Sequence, residues 1–541
     1  MRHLAQTHIR KLATAETLAA FDESVQEEID AMWLMIGALL VFLMQAGYAM
    51  VEVGSVATRN PQKIILKNLL EAAFSAVLFG AVGYGLAFGN TNDEGILYGV
   101  IGKDFFLFKK DDYSDGTGYI YASWLLQWAF VALTCTIACA SMTERITLKA
   151  SLIYVFFLVC IIYPPIACII WNTQGIGSAR KDQDRLFGCG VLDFAGAGVI
   201  HMTGGISALI GAIILGPRRA FLMNEVDVCE YGKMFQTMGT LVLWFGWFGL
   251  HGASSMHLVN YGEVVSKTLI MTTISATIGG FGSVLMSTYL RGKSEVDGLY
   301  HLKPETFHKG VLAGLVSISS GCSVMEPYGA AITGLLGSFL CVFVSNLLNE
   351  WGIDDVLQVF PVHGVGGALG LILTGVFATP HNYGQVYETG RADKCAGVLF
   401  GGSGSQLAAN GVAFVVILLW VSLTSAAVFL SLKACGILRV SEQVEDGSMD
   451  ISDHAAVITN SPPASIHDLV IPESSKPLPE KEKPKPPPVR KSTTDGGRGG
   501  GGEGRGGGGK GGGGRGKVPS ANGVRRTSKN IKSNVEMTSS I

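Results

Sequence analysis

Charged side chains are scarce in this chain. Only 16% of its 541 residues are Asp, Glu, Lys or Arg, whereas 48% are hydrophobic. A water-soluble globule needs more polar surface than this composition provides, so a soluble fold is excluded and a membrane protein is indicated. The formal net charge of -2 also lacks the basic excess that binds nucleic acid, and no nucleic-acid partner is expected.

Cysteine patterns typical of a zinc site or a disulfide framework are also missing. Cys189 and Cys395 fall in loops predicted on one side, where they could pair or remain free thiols. No metal or cofactor is therefore expected. Most other cysteines lie in apolar runs, where a thiol serves as a small hydrophobic side chain: Cys135, Cys139, Cys160, Cys341 and Cys435.

Long apolar runs recur along the chain as far as residue 435. A helix needs roughly 20 mostly apolar residues to cross the hydrocarbon layer of a bilayer. The predicted fold class is therefore an all-α polytopic membrane protein of about eleven transmembrane helices, surrounded by lipid. These spans are predicted near residues 32–54, 64–89, 118–141, 149–171, 194–215, 234–252, 265–290, 307–321, 328–348, 359–378 and 411–435.

The odd number of spans predicts termini on opposite sides of the membrane. Basic residues of short loops prefer the cytoplasm. Here they occupy alternate loops, whereas the intervening loop with Asp111, Asp112 and Asp115 is acidic. We therefore expect the N-terminus outside and the C-terminus inside. The basic loop residues are Arg59, Lys63, Arg145, Lys149, Arg218, Arg219, Arg291 and Lys293.

Composition divides the chain into four parts. Residues 1–31 have no short apolar core with a cleavage site, so they are interpreted as an extracellular N-terminal segment and not a removable signal peptide. Residues 32–440 form the predicted membrane domain, and residues 441–456 a cytosolic segment. The Pro-, Gly- and Lys-rich residues 457–541 cannot bury a core and are predicted to be a disordered cytosolic tail.

The fifth and tenth predicted spans share one pattern. Asp193 is followed eight positions later by His201 and then by a glycine pair, and Asp355 is followed in the same way by His363. Each pattern closes a block of five spans. Blocks with an odd number of helices insert in opposite orientations, which predicts an inverted repeat of spans 1–5 and 6–10 plus an eleventh helix.

The two histidines are predicted to meet near the middle of the bilayer. Eight helical residues rise about 12 Å, which carries the histidine inward from an aspartate at the membrane face. Ionisable residues at that depth usually face a cavity, a partner or a substrate path. The alternative is a pair of core histidines bonded to backbone carbonyls, but the duplication favours a shared pore lining. Two imidazoles that donate and accept hydrogen bonds suit ammonia.

Several stretches together resemble the ammonium transporter (Amt/Rh) family, on its Amt branch, from about residue 30 to 455. They are MQAGYAMVEVGSVATRN, TERI, VLDFAGAGVIH, GWFG and VFPVHGVGG, in the family's order. The resemblance implies a homotrimer with one pore per subunit in the plasma membrane. It further implies an external site at which an aromatic cage and a hydroxyl recruit ammonium.

Four residues match that recruitment site of the family. Trp171 matches the cage tryptophan, Phe130 the cage and gate phenylalanine, and Ser254 the hydroxyl. An aromatic face attracts a cation, and a hydroxyl oxygen accepts an N–H bond that potassium cannot offer. Asp193 matches an aspartate that supports the site, and we also expect it to cap the helix that follows.

The sequence departs from the family pattern near the gate. Leu250 stands where a second phenylalanine is usual, so it occludes water but offers no ring to a cation. His251 stands where asparagine is frequent, and Gln358 replaces a frequent aspartate. The loop between Trp171 and Asp193 is also longer than in compact members.

The resemblance extends to the segment after the last span. Gly447 and Asp450 would dock against a neighbouring subunit, and Ser452 lies where plant-type relatives carry a regulatory threonine. A kinase that acts on the cytosolic tail is a further expected partner, since Arg525–Ser528 resembles a basophilic kinase site.

The sequence therefore predicts an ammonium transporter that binds NH4+ at the cage, removes its proton and conducts NH3, with or without a coupled proton, through a hydrophobic twin-histidine pore. Two alternatives are an ammonium sensor that signals through the long tail and a gas channel of the Rh type. A membrane enzyme that uses the Asp/His pairs is disfavoured, because no nucleophile or metal set accompanies them.

Replacing Ser452 by Asp is expected to reduce ammonium uptake clearly below that of the parent protein. A phosphate adds roughly -1.5 to -2 charge, and the carboxylate imitates part of the repulsion that would undock the segment. Uptake by cells that express equal amounts of each protein measures the effect, with Ser452→Ala as the control. The hypothesis fails if Ser452→Asp transports as well as the parent.

Overall fold

The computed structural model of the chain describes residues 15–56, 61–91, 97–108, 118–181, 185–223, 230–292 and 303–446. They all belong to the first of two compact units, Met1–Ile466. Within these ranges the structure is helical, with isolated bridges but no β-strand. The predicted all-α fold class is confirmed, whereas the predicted tail at 457–541 lies outside the described residues.

Eleven long helices in the described ranges follow the order of the predicted spans. Nine of them are long and apolar enough to cross a membrane, and α6 and α8 are outside that group, so the count of eleven spans stays a prediction. The helices are α1 Ala15–Val53, α2 Pro61–Phe88, α3 Tyr119–Ala140, α4 Leu148–Trp171, α5 Ala197–Leu215, α6 Glu230–Ala253, α7 Gly262–Arg291, α8 Pro304–Ile318, α9 Pro327–Glu350, α10 Phe360–Phe377 and α11 Ser405–Ala434.

Helix α11 begins six residues before its predicted start at residue 411. The polar side chains in its first turns are typical of a loop in the sequence, but in the folded protein they form hydrogen bonds with neighbouring segments. Asn410 accepts a hydrogen bond from Leu192 N at 2.9 Å and donates to Leu371 O at 2.8 Å. Gln406 donates to Gly190 O at 2.8 Å. Polar residues bonded in this way can begin a helix inside the protein.

Helices α5 and α10 begin in the same unusual way. Each opens with a π-helical turn that contains its histidine, Ala197–Met202 in α5 and Phe360–Val365 in α10. The residue three positions after each aspartate is left-handed, with φ of 84° at Gly196 and 56° at Gln358. The sequence repeat is therefore also a repeat of backbone conformation, although glutamine stands where the first copy has glycine.

The two helices cross in backbone contact. A Cβ atom added to Gly205 in α5 would collide with the backbone of Gly364 in α10. The contact is reciprocal, because a Cβ atom on Gly367 in α10 would lie 2.9 Å from the N atom of Met202 in α5. Lipid provides no hydrophobic drive for helices to associate. Because glycine has no side chain, the two helix axes can approach closely enough for backbone packing to hold them together.

Replacing Gly205 by Ala should destabilise the protein by about 1–3 kcal/mol, because a methyl group must be forced into a packed backbone contact. The melting temperature of the purified protein in detergent measures the loss. Gly411→Ala in α11 is the matched control, since a Cβ atom at Gly411 has no atom within 4 Å. Equal melting temperatures for the two variants would contradict the crossing contact.

Candidate functional site

A cavity of about 340 Å³ lies where α3, α4 and the residues after α6 meet. Its lining includes Phe130, Trp171 and Ser254, the three residues matched to the recruitment site. Phe130 comes from the middle of α3, Trp171 ends α4, and Ser254 directly follows α6. The structure thus brings together three residues that are far apart in the sequence, and we call this space the aromatic cavity.

The aromatic cavity holds its side chains in defined positions. The ring centroids of Phe130 and Trp171 lie 5.9 Å apart with an angle of 56° between the planes. The indole Nε1 of Trp171 donates to Asp193 O at 2.7 Å. Ser254 Oγ donates its proton to Leu250 O at 2.7 Å, so the oxygen can still accept a hydrogen bond from a solute.

Asp193 caps α5 and does not line the aromatic cavity. Its Oδ2 accepts hydrogen bonds from Gly198 N at 3.0 Å and Val199 N at 2.9 Å, both in the first turn of α5. Burial raises the pKa of Asp193 to about 6, although the backbone N–H groups that it accepts act in the opposite direction. In the second repeat, Asp355 Oδ2 accepts from Phe360 N at 2.8 Å.

His201 and His363 are buried and adjacent. Their Nδ1 atoms lie 3.2 Å apart, and their ring centroids 5.2 Å. On the far side, His363 Nε2 lies 3.4 Å from Tyr48 Oη. His201 is 0% exposed, yet its Nε2 has no hydrogen-bond partner among the described residues. A buried polar atom without a partner costs free energy, which makes this nitrogen a candidate contact for a small polar solute.

His251 is a third buried histidine, but both of its ring nitrogens have partners. Nδ1 lies 2.7 Å from Thr272 Oγ1, and Nε2 lies 2.9 Å from Ser319 Oγ. With both nitrogens bonded inside the protein, this imidazole links helices α6, α7 and α8. The departure from asparagine at this position therefore serves packing.

One face of α6 leads from the aromatic cavity to the histidine pair. Ser254 lines the aromatic cavity, Leu250 lies one turn further along, and Trp247 stacks on His201 with ring centroids 5.5 Å apart. Leu250 and Phe130 are buried in the same hydrophobic cluster. The cavity lining includes Phe130 but neither Leu250 nor the two histidines.

Three residues near these groups were not assigned a role from the sequence. Tyr48 contacts His363, Trp247 stacks on His201, and Arg180 lines the aromatic cavity. Tyr48 and Trp247 belong to the stretches MQAGYAMVEV and GWFG, so their positions could have suggested them. Arg180 lies in a loop, and nothing in its local sequence indicates where its side chain points.

The predicted regulatory residues Gly447, Asp450 and Ser452 lie outside the described residues. The short helix before them, Glu442–Asp446, contacts the loop after α5. Arg219 Nη1 lies 2.7 Å from Glu442 Oε2, and Arg219 N donates to Glu445 Oε1 at 2.9 Å.

Beside that contact, Arg218 forms a buried ion pair with Asp354 at 2.7 Å, next to the aspartate that caps α10. Burial alone would raise the pKa of Asp354, but the guanidinium groups of Arg218 and Arg145 hold it below its ordinary value.

Cys189 and Cys395 form a disulfide bond, which decides between the two states left open by the sequence. The bond joins the loop before α5 to the loop before α11. Among the described residues, no group of three or more His, Cys, Asp or Glu side chains is arranged to hold a metal ion.

Comparisons with known proteins agree on one family. The family model described as Ammonium Transporter Family matches residues 32–458. The chain is 34% identical over 451 residues to ammonium transporter 1 member 3 of Solanum lycopersicum, covering 81% of this chain and 94% of the relative. It is 36% identical over 440 residues to ammonium transporter 1 member 1 of Oryza sativa subsp. japonica, covering 79% of this chain and 84% of the relative.

Solved structures share the fold. A protein described as a sensor Amt protein superposes with a TM-score of 0.67 and 27% identity, covering 80% of this chain and 99% of that chain. Mep2 of Saccharomyces cerevisiae superposes with a TM-score of 0.63 and 23% identity, covering 76% and 87% of the two chains. The second likeness shows the fold alone.

Replacing Asp193 by Ala should lower the stability of the protein by about 1–2 kcal/mol, because two buried backbone N–H groups lose their acceptor. Asp193→Asn keeps an acceptor oxygen and should lose less. Thermal unfolding in detergent measures both variants against the parent. A cap at this position is ruled out if Asp193→Ala unfolds at the same temperature as the parent.

Proposed function

This chain belongs to the ammonium transporter family, and from that membership we propose that it binds NH4+ in the aromatic cavity and conducts NH3 past His201 and His363. The observation that carries the proposal is the pair of adjacent buried imidazoles, one of which keeps an unbonded nitrogen. Leu250, whose backbone oxygen accepts the Ser254 hydroxyl, is buried in the same hydrophobic cluster as Phe130.

The aromatic cavity is suited to a cation that carries N–H groups. The ring faces of Trp171 and Phe130 attract a positive charge, by about 0.5–2 kcal/mol depending on how much water is removed. Ser254 Oγ, whose own proton is engaged, offers a lone pair to an N–H group. Potassium gains the attraction of the rings but cannot donate a hydrogen bond, so ammonium is favoured.

Desolvation drives the loss of the proton. Beyond Leu250 and Phe130 the surroundings are apolar and buried, and an ion there lacks its hydration shell. The charged form is penalised in such an environment, so the bound solute releases its proton to water in the aromatic cavity and continues as NH3. His201 Nε2 then offers a hydrogen-bond partner on the path.

The remaining properties are proposed on the basis of family membership and charge. The protein acts as a homotrimer in the plasma membrane, with the aromatic cavity outside and the C-terminal segment inside. The length of α3 is consistent with the cavity and the C-terminal segment lying on opposite sides of the membrane. Its 22 residues rise about 33 Å from Tyr119, which lines the cavity, to the turn that leads to Arg145.

We also propose that the C-terminal segment regulates the pore through Gly447, Asp450 and Ser452. The helix Glu442–Asp446 is bonded to Arg219 just after α5, the helix that carries His201. Arg439 strengthens the connection by donating to Leu215 O at 3.0 Å at the end of α5. A phosphate added by a kinase to this segment would disturb contacts that reach the histidine helix.

Replacing either His201 or His363 by Ala should reduce uptake of labelled methylammonium by oocytes by roughly tenfold or more, because removing one buried hydrogen-bond partner costs about 1–3 kcal/mol. His251→Asn is the matched control, since an amide can replace both bonds of that buried histidine. Surface expression of each protein is measured in parallel. Unchanged uptake in both alanine variants would refute the pore assignment.

A further inference from the structure

A guanidinium group lies in the aromatic cavity. Arg180 lies in the loop after α4 and lines this space together with Trp171 and Phe130. Its Nη2 donates to the backbone oxygen of Ser254 at 3.1 Å. The charge therefore lies next to the hydroxyl residue that the proposed cation site depends on.

The positive charge of Arg180 has no counter-charge in the lining. Within the described part of the chain, the lining contains no carboxylate, and no carboxylate lies within ion-pair distance of Arg180. His257 is the other basic residue of the lining, and its Nδ1 lies 2.8 Å from Asp30 Oδ2. Asp30 is thus engaged by His257, whereas the guanidinium of Arg180 has no carboxylate partner among the described residues.

A fixed cation in a cation-binding cavity lowers the occupancy of that cavity. Two like charges a few ångströms apart repel each other near a protein surface, and salt screens that repulsion over about 10 Å at 0.1 M. The cavity measures about 340 Å³ and is lined by Arg180 together with Trp171 and Phe130, so a bound ion and the guanidinium share one small space.

We propose that Arg180 sets the affinity of the aromatic cavity for its cation, by opposing the attraction of the rings and the hydroxyl. The inference rests on the proposed function of that cavity. The consequence of this repulsion is a lower affinity for ammonium than the rings and the hydroxyl alone would give.

The bond from Arg180 to Ser254 O offers a different explanation, in which the residue only anchors its loop. Substitutions separate the two roles. Arg180→Lys keeps the charge, while Arg180→Gln keeps an N–H donor and removes the charge. Lys181→Gln is the matched control, because the next residue loses the same charge but places its Nζ over the Tyr98 ring, 4.9 Å from the centroid.

The test is the concentration dependence of labelled methylammonium uptake at low ionic strength. We expect Arg180→Gln to lower KM by about threefold or more with little change in maximal rate, and added salt to reduce that difference, because the repulsion is screened. Arg180→Lys and Lys181→Gln should keep the KM of the parent. An unchanged or higher KM in Arg180→Gln, or an equal decrease in Lys181→Gln, overturns the inference.

A chemical variant guards against misfolding of Arg180→Gln. Arg180→Cys is treated at the cell surface with a methanethiosulfonate reagent that adds either a positive or a negative group, and the parent protein is treated in parallel. The positive group should return KM to the value of the parent, and the negative group should lower KM further. Equal effects of both reagents contradict a charge mechanism. If the parent itself transports no methylammonium, the proposed function fails and not this inference.

Discussion

The backbone contact between α5 and α10 is the constraint on which the rest of the structure depends. Gly205 and Gly367 leave no side chain at the crossing, so the two π-helical openings approach until the histidine Nδ1 atoms lie 3.2 Å apart. Lipid provides no hydrophobic driving force for helix association, so close packing of small residues stabilises the contact instead. The aspartate before each of these helices accepts hydrogen bonds from backbone N–H groups at the start of the helix.

Burial alone does not separate the histidines of this protein into structural and functional ones. His201, His251 and His363 are all buried, but their hydrogen bonds differ. His251 is bonded at both nitrogens, whereas His201 retains a free Nε2 and contacts His363 on its other side. A group whose bonds are all made inside the protein has nothing left to offer a solute. The partners of each nitrogen therefore distinguish the roles.

Charges are arranged differently at the two ends of the helix bundle. Near the C-terminal segment, Arg218 is paired with Asp354, and the pair is buried beside the loop that leads to α10. Such a pair stabilises position and adds no net charge. In the aromatic cavity, Arg180 stands without a carboxylate among the described residues. A paired cation fixes a loop, whereas an unpaired cation also acts on any ion that enters.

The sequence by itself determined the membrane class, the helical fold, the order of the spans and the repeated Asp, His and glycine pattern. These properties follow from hydropathy and spacing, which are local along the chain. The predicted start of α11 differs from the observed one, because Gln406 and Asn410 form hydrogen bonds with residues that only folding brings near them.

The tertiary structure alone decided which groups meet. Tyr48 reaches His363 across 315 positions, and Arg180 reaches Ser254 across 74. It also decided that His251 is saturated while His201 is not, and that Cys189 bonds to Cys395. Hydrogen bonding and charge pairing are short-ranged in space and indifferent to separation in sequence, so no local pattern could have assigned these partners.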